Sequence, residues 1–213
     1  YDRHLDQWRW GSIDTGKGKI YYPIPRDRDQ SFFNSDGRLL GFISKRSMPF
    51  LKGFRDDIPK IKWLNYIARD FDRIFLTDLD QADWEKTISG FQQKLSDSVI
   101  HQAVKELPAD IYKIRGEKIA SRIISRRNAI KDAAMQYYHF LSREVNIIGS
   151  NQKEYFRVSS AGDKLLVKVY AKSRKSDTSF LMYSREFDPK VTREIRLFGL
   201  HDEDVFEVDK DTR

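Results

Sequence analysis

Cysteine is absent from the 213 residues. That excludes disulfides and thiolate metal ligands, and it removes the thiol as a nucleophile. No apolar run approaches the roughly 20 residues that a bilayer-spanning helix needs, so no membrane span is expected. HExxH and GxSxG do not occur, and no local pattern assembles a Ser-His-Asp hydrolase. Gly16-Lys-Gly-Lys19 is too short to be a Walker loop. An initiating Met and a signal peptide are also missing, so the chain is expected to be a piece of a longer protein.

What is present supports a folded, strongly charged domain. Hydrophobic residues make up 39% and aromatics 13%, enough for a packed core in one large or two small domains. A charged fraction of 33% with a mean hydropathy of −0.66 predicts a well-solvated surface. The net charge of +7 favours anionic partners: a phosphorylated ligand, nucleic acid or an anionic surface. Lys118, Arg122 and Arg126 recur every four residues, joined by Arg115, Arg127 and Lys131, and read as a solvated basic helix face. No nucleic-acid-binding motif accompanies them, and nucleic acid is not an expected partner.

The first forty-five residues read as loops and short strands. Ile20-Tyr-Tyr22 is β-like and is expected to stop at Pro23 and Pro25. Asn34-Ser-Asp-Gly37 signals a turn, and Leu39 to Ile43 a strand or a helix start. Helical periodicity begins near Asp80. Trp84, Ile88, Phe91 and Leu95 form one stripe behind Asp80 or Asp83 as N-cap. A second helix, capped by Ser98 and stopped by Pro108, carries Val99, Ala103, Val104 and Leu107. A third spans about Glu117 to Glu144, burying Ile119, Ile123, Ile130, Ala134, Tyr137 and Leu141. Beyond Asn146 the period becomes that of strands. A hairpin turns through Ser159-Ser-Ala-Gly-Asp163, and strands follow at Ser179–Phe187, Val191–Leu197 and Val205–Val208.

Two acidic clusters stand near the beginning, among aromatic residues. They are Asp2-Arg-His-Leu-Asp-Gln-Trp8 and Pro25-Arg-Asp-Arg-Asp-Gln-Ser-Phe32. Carboxylates at Asp2, Asp6, Asp27 and Asp29 are ligands of the type Mg²⁺ accepts. Phosphoryl transfer needs one carboxylate on the acceptor and others on the metal. The same carboxylates could equally form a structural network with Arg3, Arg9, Arg26 and Arg28. His4 reads as a hydrogen-bonded structural imidazole, and Trp8 and Trp10 as walls of a core or site.

These two motifs resemble the CotH family of kinase-like proteins, whose core looks like Asp-Arg-His-x-x-Asn-Trp followed by Pro-Trp-Asp-x-Asp. The resemblance implies a catalytic, acceptor-side role for Asp2. It puts Gln7 at the position of a metal-binding Asn, makes Asp27 the principal metal ligand and places Asp29 in the same cluster. It implies Mg²⁺ and ATP as cofactors. A helical lobe should follow the acidic pair, and Ser96 to Pro108 is similar to a segment of such a lobe. The tail from Val191 to Leu200 looks like the region before the outer-membrane barrel of large Bacteroidetes envelope proteins that also carry a calcineurin-like metallophosphoesterase domain.

The expectation is therefore an α+β chain. Residues 1–145 would be a mainly helical, kinase-like C-lobe segment with an acidic loop site, and 146–213 a small antiparallel β region. Two functional readings stay open. One is a fragment of a Mg²⁺-dependent CotH-type phosphotransferase in the cell envelope, inactive alone. The other is a non-catalytic structural or interaction segment of a metallophosphoesterase-associated outer-membrane protein. Neighbouring domains of the intact chain are the expected partners in both.

Overall fold

The computed structural model describes residues 3–16, 19–33, 37, 42, 52–172 and 179–210. The expected turn over Asn34–Gly37 and the element over Leu39–Ile43 lie outside the described residues, apart from Gly37 and Phe42. Helices and strands are both abundant and largely segregated along the chain, an α+β arrangement. The chain parts into two compact units. One joins the described residues up to Phe71 with Glu85–Tyr137; the other joins Asp72–Trp84 with everything from Tyr138 onward.

The first unit begins with a hairpin of β1 (Trp8–Asp14) and β2 (Lys19–Pro25), antiparallel and in register from Trp8↔Pro25 to Asp14↔Lys19. The strand was expected to stop at Pro23, yet it runs on to Pro25. Ladder geometry gives the reason. The Arg26 N–H donates to the Gln7 carbonyl at 2.8 Å, one step beyond the Trp8↔Pro25 pair. Alternation then places Pro25 and Pro23 at non-hydrogen-bonded pairs, where a missing N–H costs the hairpin nothing. Tyr22 from the other strand covers Gly11, so a side chain at that position would have to push the end of the tyrosine ring aside. The opposite face of the hairpin packs inward, with Trp8 stacked on Phe71 at 5.4 Å and 5°. Two short helices follow, α1 (Ile61–Leu64) and α2 (Arg69–Phe75).

Next come α3 (Gln81–Lys94), α4 (Asp97–Lys105) and the long α5 (Glu117–Ser142). Asp80 and Asp83 cap the start of α3 reciprocally, each side chain accepting from the other's N–H, at 2.9 and 3.1 Å. Ser96, not Ser98, caps α4; its hydroxyl oxygen accepts from the Val99 N–H at 3.3 Å. On this helix Ile100 and Val104, four residues apart on one face, are buried, and Val99 is exposed. Ile100, Val104 and Ala120 form the helical core, packed against Leu95, Leu107, Ile119 and Ile123. A wider turn of helix over Tyr112–Gly116 leads into α5, and the Tyr112 hydroxyl donates to Glu117 at 2.8 Å.

The basic stripe is only partly a solvated face: Arg115, Lys118 and Lys131 are exposed as expected, while the three other arginines are engaged. Arg122 donates to the Phe54 carbonyl at 2.6 Å and lies 3.8 Å from Asp56. Arg126 donates to the Asp57 carbonyl at 2.9 Å and covers the Phe54 ring at 5.2 Å. Arg127 donates to the Leu95 carbonyl, an orphan acceptor at the end of α3, and pairs with Asp97 at 2.7 Å. Three guanidinium groups are thus structural staples. Sequence spacing alone could not reveal this, because the acceptors are backbone carbonyls.

In the second unit β3 (Glu144–Ile148) pairs in parallel with β7 (Glu194–Phe198). A four-stranded sheet runs in the order β6 (Ser179–Phe187), β5 (Lys164–Lys172), β4 (Glu154–Ala161), β8 (Val205–Val208). It is antiparallel across β4, β5 and β6, with β8 parallel to β4. Gly162, at φ +63, makes the tight turn between Ala161 and Lys164. Alternate side chains bury Val145, Ile147, Phe156, Val167, Val169 and Phe187 as one core. Arg185 is 5% exposed, donates to Thr77 O at 2.5 Å and to Ser142 Oγ at 3.3 Å, and lies over Phe187. Glu154 is fully buried, and its carboxylate accepts from the Ser150 N–H and hydroxyl.

Candidate functional site

The first acidic motif forms a short 3₁₀ turn, Leu5–Gln7, directly before β1. Gln7 is 6% exposed, the only strongly buried polar side chain of the motif among its described residues. Its amide orientation follows from its neighbours: with the nitrogen turned to the loop after β2, it donates to Arg26 O at 2.7 Å and Asp27 O at 3.0 Å. Its backbone carbonyl meanwhile receives the Arg26 N–H. Gln7 therefore clasps the start of the Pro25-Arg-Asp-Arg-Asp-Gln30 loop at Arg26 and Asp27.

What the clasp holds is an unusual backbone. Asp27 sits at φ +46, in the left-handed region. An L-residue with a side chain enters it at a cost of about 1–2 kcal/mol, and Asp and Asn do so most readily. Asp27 and Asp29 are both exposed. Arg28, between them, lies over the Trp8 ring at 4.9 Å, and Trp8 in turn stacks on Phe71. Among the described residues Asp27 has no ion pair. Asp29 opens a second 3₁₀ turn, Asp29–Phe32, which the Ser31 hydroxyl fastens by donating to Arg28 O at 2.6 Å.

Downstream, Phe32 meets Phe54 edge-on at 5.1 Å, and the Phe54 N–H donates to Phe33 O at 2.7 Å. This brings the 52–57 segment, and with it Arg126, against the loop. A cavity of about 50 Å³ lies there, lined by Gln30, Ser31, Phe33, Lys52, Gly53, Phe54, Leu64 and Arg126. Burial pushes the Arg126 guanidinium below its ordinary range, with the Asp57 charge opposing the shift.

The predicted site residues thus fall into two roles. Gln7 is a clasp, with its amide nitrogen on loop carbonyls; Asp27 and Asp29 are the exposed acids. Asp2 lies outside the described residues. His4 Nδ1 stands 3.7 Å from Asp6, near the limit for an ion pair, and Asp6 is exposed. Among the described residues no group of three or more His, Asp or Glu is arranged to hold a metal. Two loop carboxylates nonetheless match what Mg²⁺ takes from proteins, one or two carboxylates with waters and phosphate oxygens completing the shell.

Sequence reasoning did not find the cavity beside the loop, because its cations come from residues 52 and 126. A second acid-rich cavity of about 480 Å³, in the other unit, also went unseen; Asp78, Asp80, Asp83, Glu186 and Asp188 line it with Lys164 and Arg185. There Asp80 and Asp83 serve as helix caps, Glu186 pairs with Lys164 at 3.3 Å, and Asp188 accepts the Lys190 N–H.

No family model, curated protein or solved structure matches this chain.

Proposed function

We propose that the Pro25–Gln30 loop is the acidic side of a Mg²⁺–phosphate site in a CotH-like, ATP-using phosphotransferase of the cell envelope, and that the segment is inactive alone. The observation that carries the reading is Asp27: an exposed carboxylate on a left-handed residue, held by a buried Gln7, with Arg28 drawn onto Trp8. Strained backbone persists only where its surroundings over-determine it, and such positions cluster at ligand sites. In this reading Asp27 and Asp29 bind the metal and Gln7 fixes the loop. Bound Mg²⁺ would neutralise phosphate charge during transfer. Calorimetry with Mg²⁺ and Mn²⁺, with and without ATP, tests it. Wild type should bind metal and Asp27→Asn, which tolerates the left-handed backbone as Asp does, should not, with melting little changed. Equal binding by both proteins would refute the reading.

A second reading, an interaction segment, is favoured by the outer face of the hairpin. Ile13 pairs across the strands with Ile20, and these residues are 57% and 60% exposed, beside exposed Tyr22 and Ile24. Contiguous exposed apolar faces mark contact surfaces. Hydrogen exchange of residues 19–25 would decide: protection in a longer form of the protein, and none in this segment, would favour this role.

A further inference from the structure

Resting on the phosphotransfer reading of the acidic loop, we infer that the cavity beside it is the site of a substrate phosphate group. The loop changes character within two residues. Asp27 and Asp29 offer negative charge, and Gln30 and Ser31, which follow directly, wall a cavity whose charged residues, among those described, are Lys52 and Arg126. A volume of about 50 Å³ accommodates about four water-sized groups, the scale of a tetrahedral oxyanion.

Arg126 is built for the task. Its guanidinium is fixed on the Phe54 ring, and one nitrogen is anchored on the Asp57 carbonyl at 2.9 Å. A guanidinium held in this way presents a planar fork matched to phosphate, with little conformational entropy left to lose. Lys52 adds a half-buried point charge to the cavity wall from the adjoining segment. The Ser31 hydroxyl proton is committed to Arg28 O, so the serine shapes the wall and the two cations do the binding. The juxtaposition also supplies what the acidic loop lacks. Mg²⁺ held by one or two carboxylates takes its remaining oxygens from waters and substrate phosphates, and Gln30 of the cavity wall follows Asp29 directly in the chain.

The test is titration of the whole segment with inorganic phosphate, pyrophosphate and ATP, first without metal and then with Mg²⁺. Without metal, wild type should bind pyrophosphate or ATP, more weakly as salt rises. Lys52→Gln and Arg126→Gln should each cut that affinity about tenfold or more. Should Arg126→Gln lower the melting temperature, Lys52→Gln alone decides. Pyrophosphate and ATP binding equally would assign the cavity to phosphate itself; ATP alone would assign it to a nucleotide phosphate. Asp27→Ala should lose the enhancement of binding by Mg²⁺. If Mg²⁺ enhancement is absent while both cation variants still weaken binding, the acidic-loop reading fails and the phosphate cavity stands. Undetectable metal-free binding, or binding unchanged by Lys52→Gln, overturns this inference.

Discussion

At the scale of single residues, Gln7 and Asp27 act as a pair. Removing the Gln7 amide leaves two loop carbonyls without their donor beside a buried site, so Gln7→Leu should destabilise the first unit by about 1–3 kcal/mol. Denaturant unfolding measures the loss, and metal binding should fall with it. Asp27→Gly separates backbone from charge. Glycine accepts φ +46 without strain, so this variant should be as stable as wild type or up to about 1 kcal/mol more stable. It should still lose the metal. A Gly variant that binds Mg²⁺ would place the ligands elsewhere. The resemblance to CotH-type proteins implies a metal role for both residues, with Gln7 at the position of a metal-binding Asn. Burial of one and exposure of the other separates their roles.

At the scale of elements, the sequence carried periodicity well and capping less well. The stripe of α5 and the strands β4 and β5 follow the hydrophobic pattern, since alternate burial is what selects those residues. Phe91 on α3 and Val99 and Ala103 on α4, read as parts of apolar stripes, are instead exposed. The cap of α4 did not follow. Both Ser96 and Ser98 are competent caps, and only the burial of Ile100 chooses between them. Ser96→Ala should cost about 1 kcal/mol, and Ser98→Ala much less, in paired thermal melts. The prolines of β2 misled for a related reason: their effect depends on which pairs of the ladder are hydrogen-bonded, which is a property of the partner strand. The arginines of α5 depend in the same way on the 52–57 segment, nearly seventy residues away in sequence.

On β6, Tyr183 donates to Thr77 O at 3.2 Å, and burial raises its phenol well above the ordinary tyrosine range. A folded-state pKa raised above the unfolded one means stability fully present below the unfolded value and lost as pH rises past it. Stability should therefore decline above about pH 10. In Tyr183→Phe that alkaline decline should be shallower in denaturant titrations at several pH values, whatever the variant's stability at neutral pH.

At the scale of the whole molecule, the net charge of +7 and the acidic loop stand in contrast. Three of the six basic residues of the stripe, Arg122, Arg126 and Arg127, are engaged in holding backbone carbonyls, so charge excess is a poor guide to a binding face here. Acidity is no better a guide by itself, because the larger acid-rich cavity of the second unit is occupied with helix caps and turns. The account places the metal at Asp27 and not there. Mn²⁺ titration followed by NMR tests that placement most directly, since a paramagnetic ion broadens the amide signals around it. Broadening confined to residues near 25–31, and absent in Asp27→Ala, is the result predicted. Broadening centred on Asp78, Asp83 and Asp188, unchanged in Asp27→Ala, would contradict it.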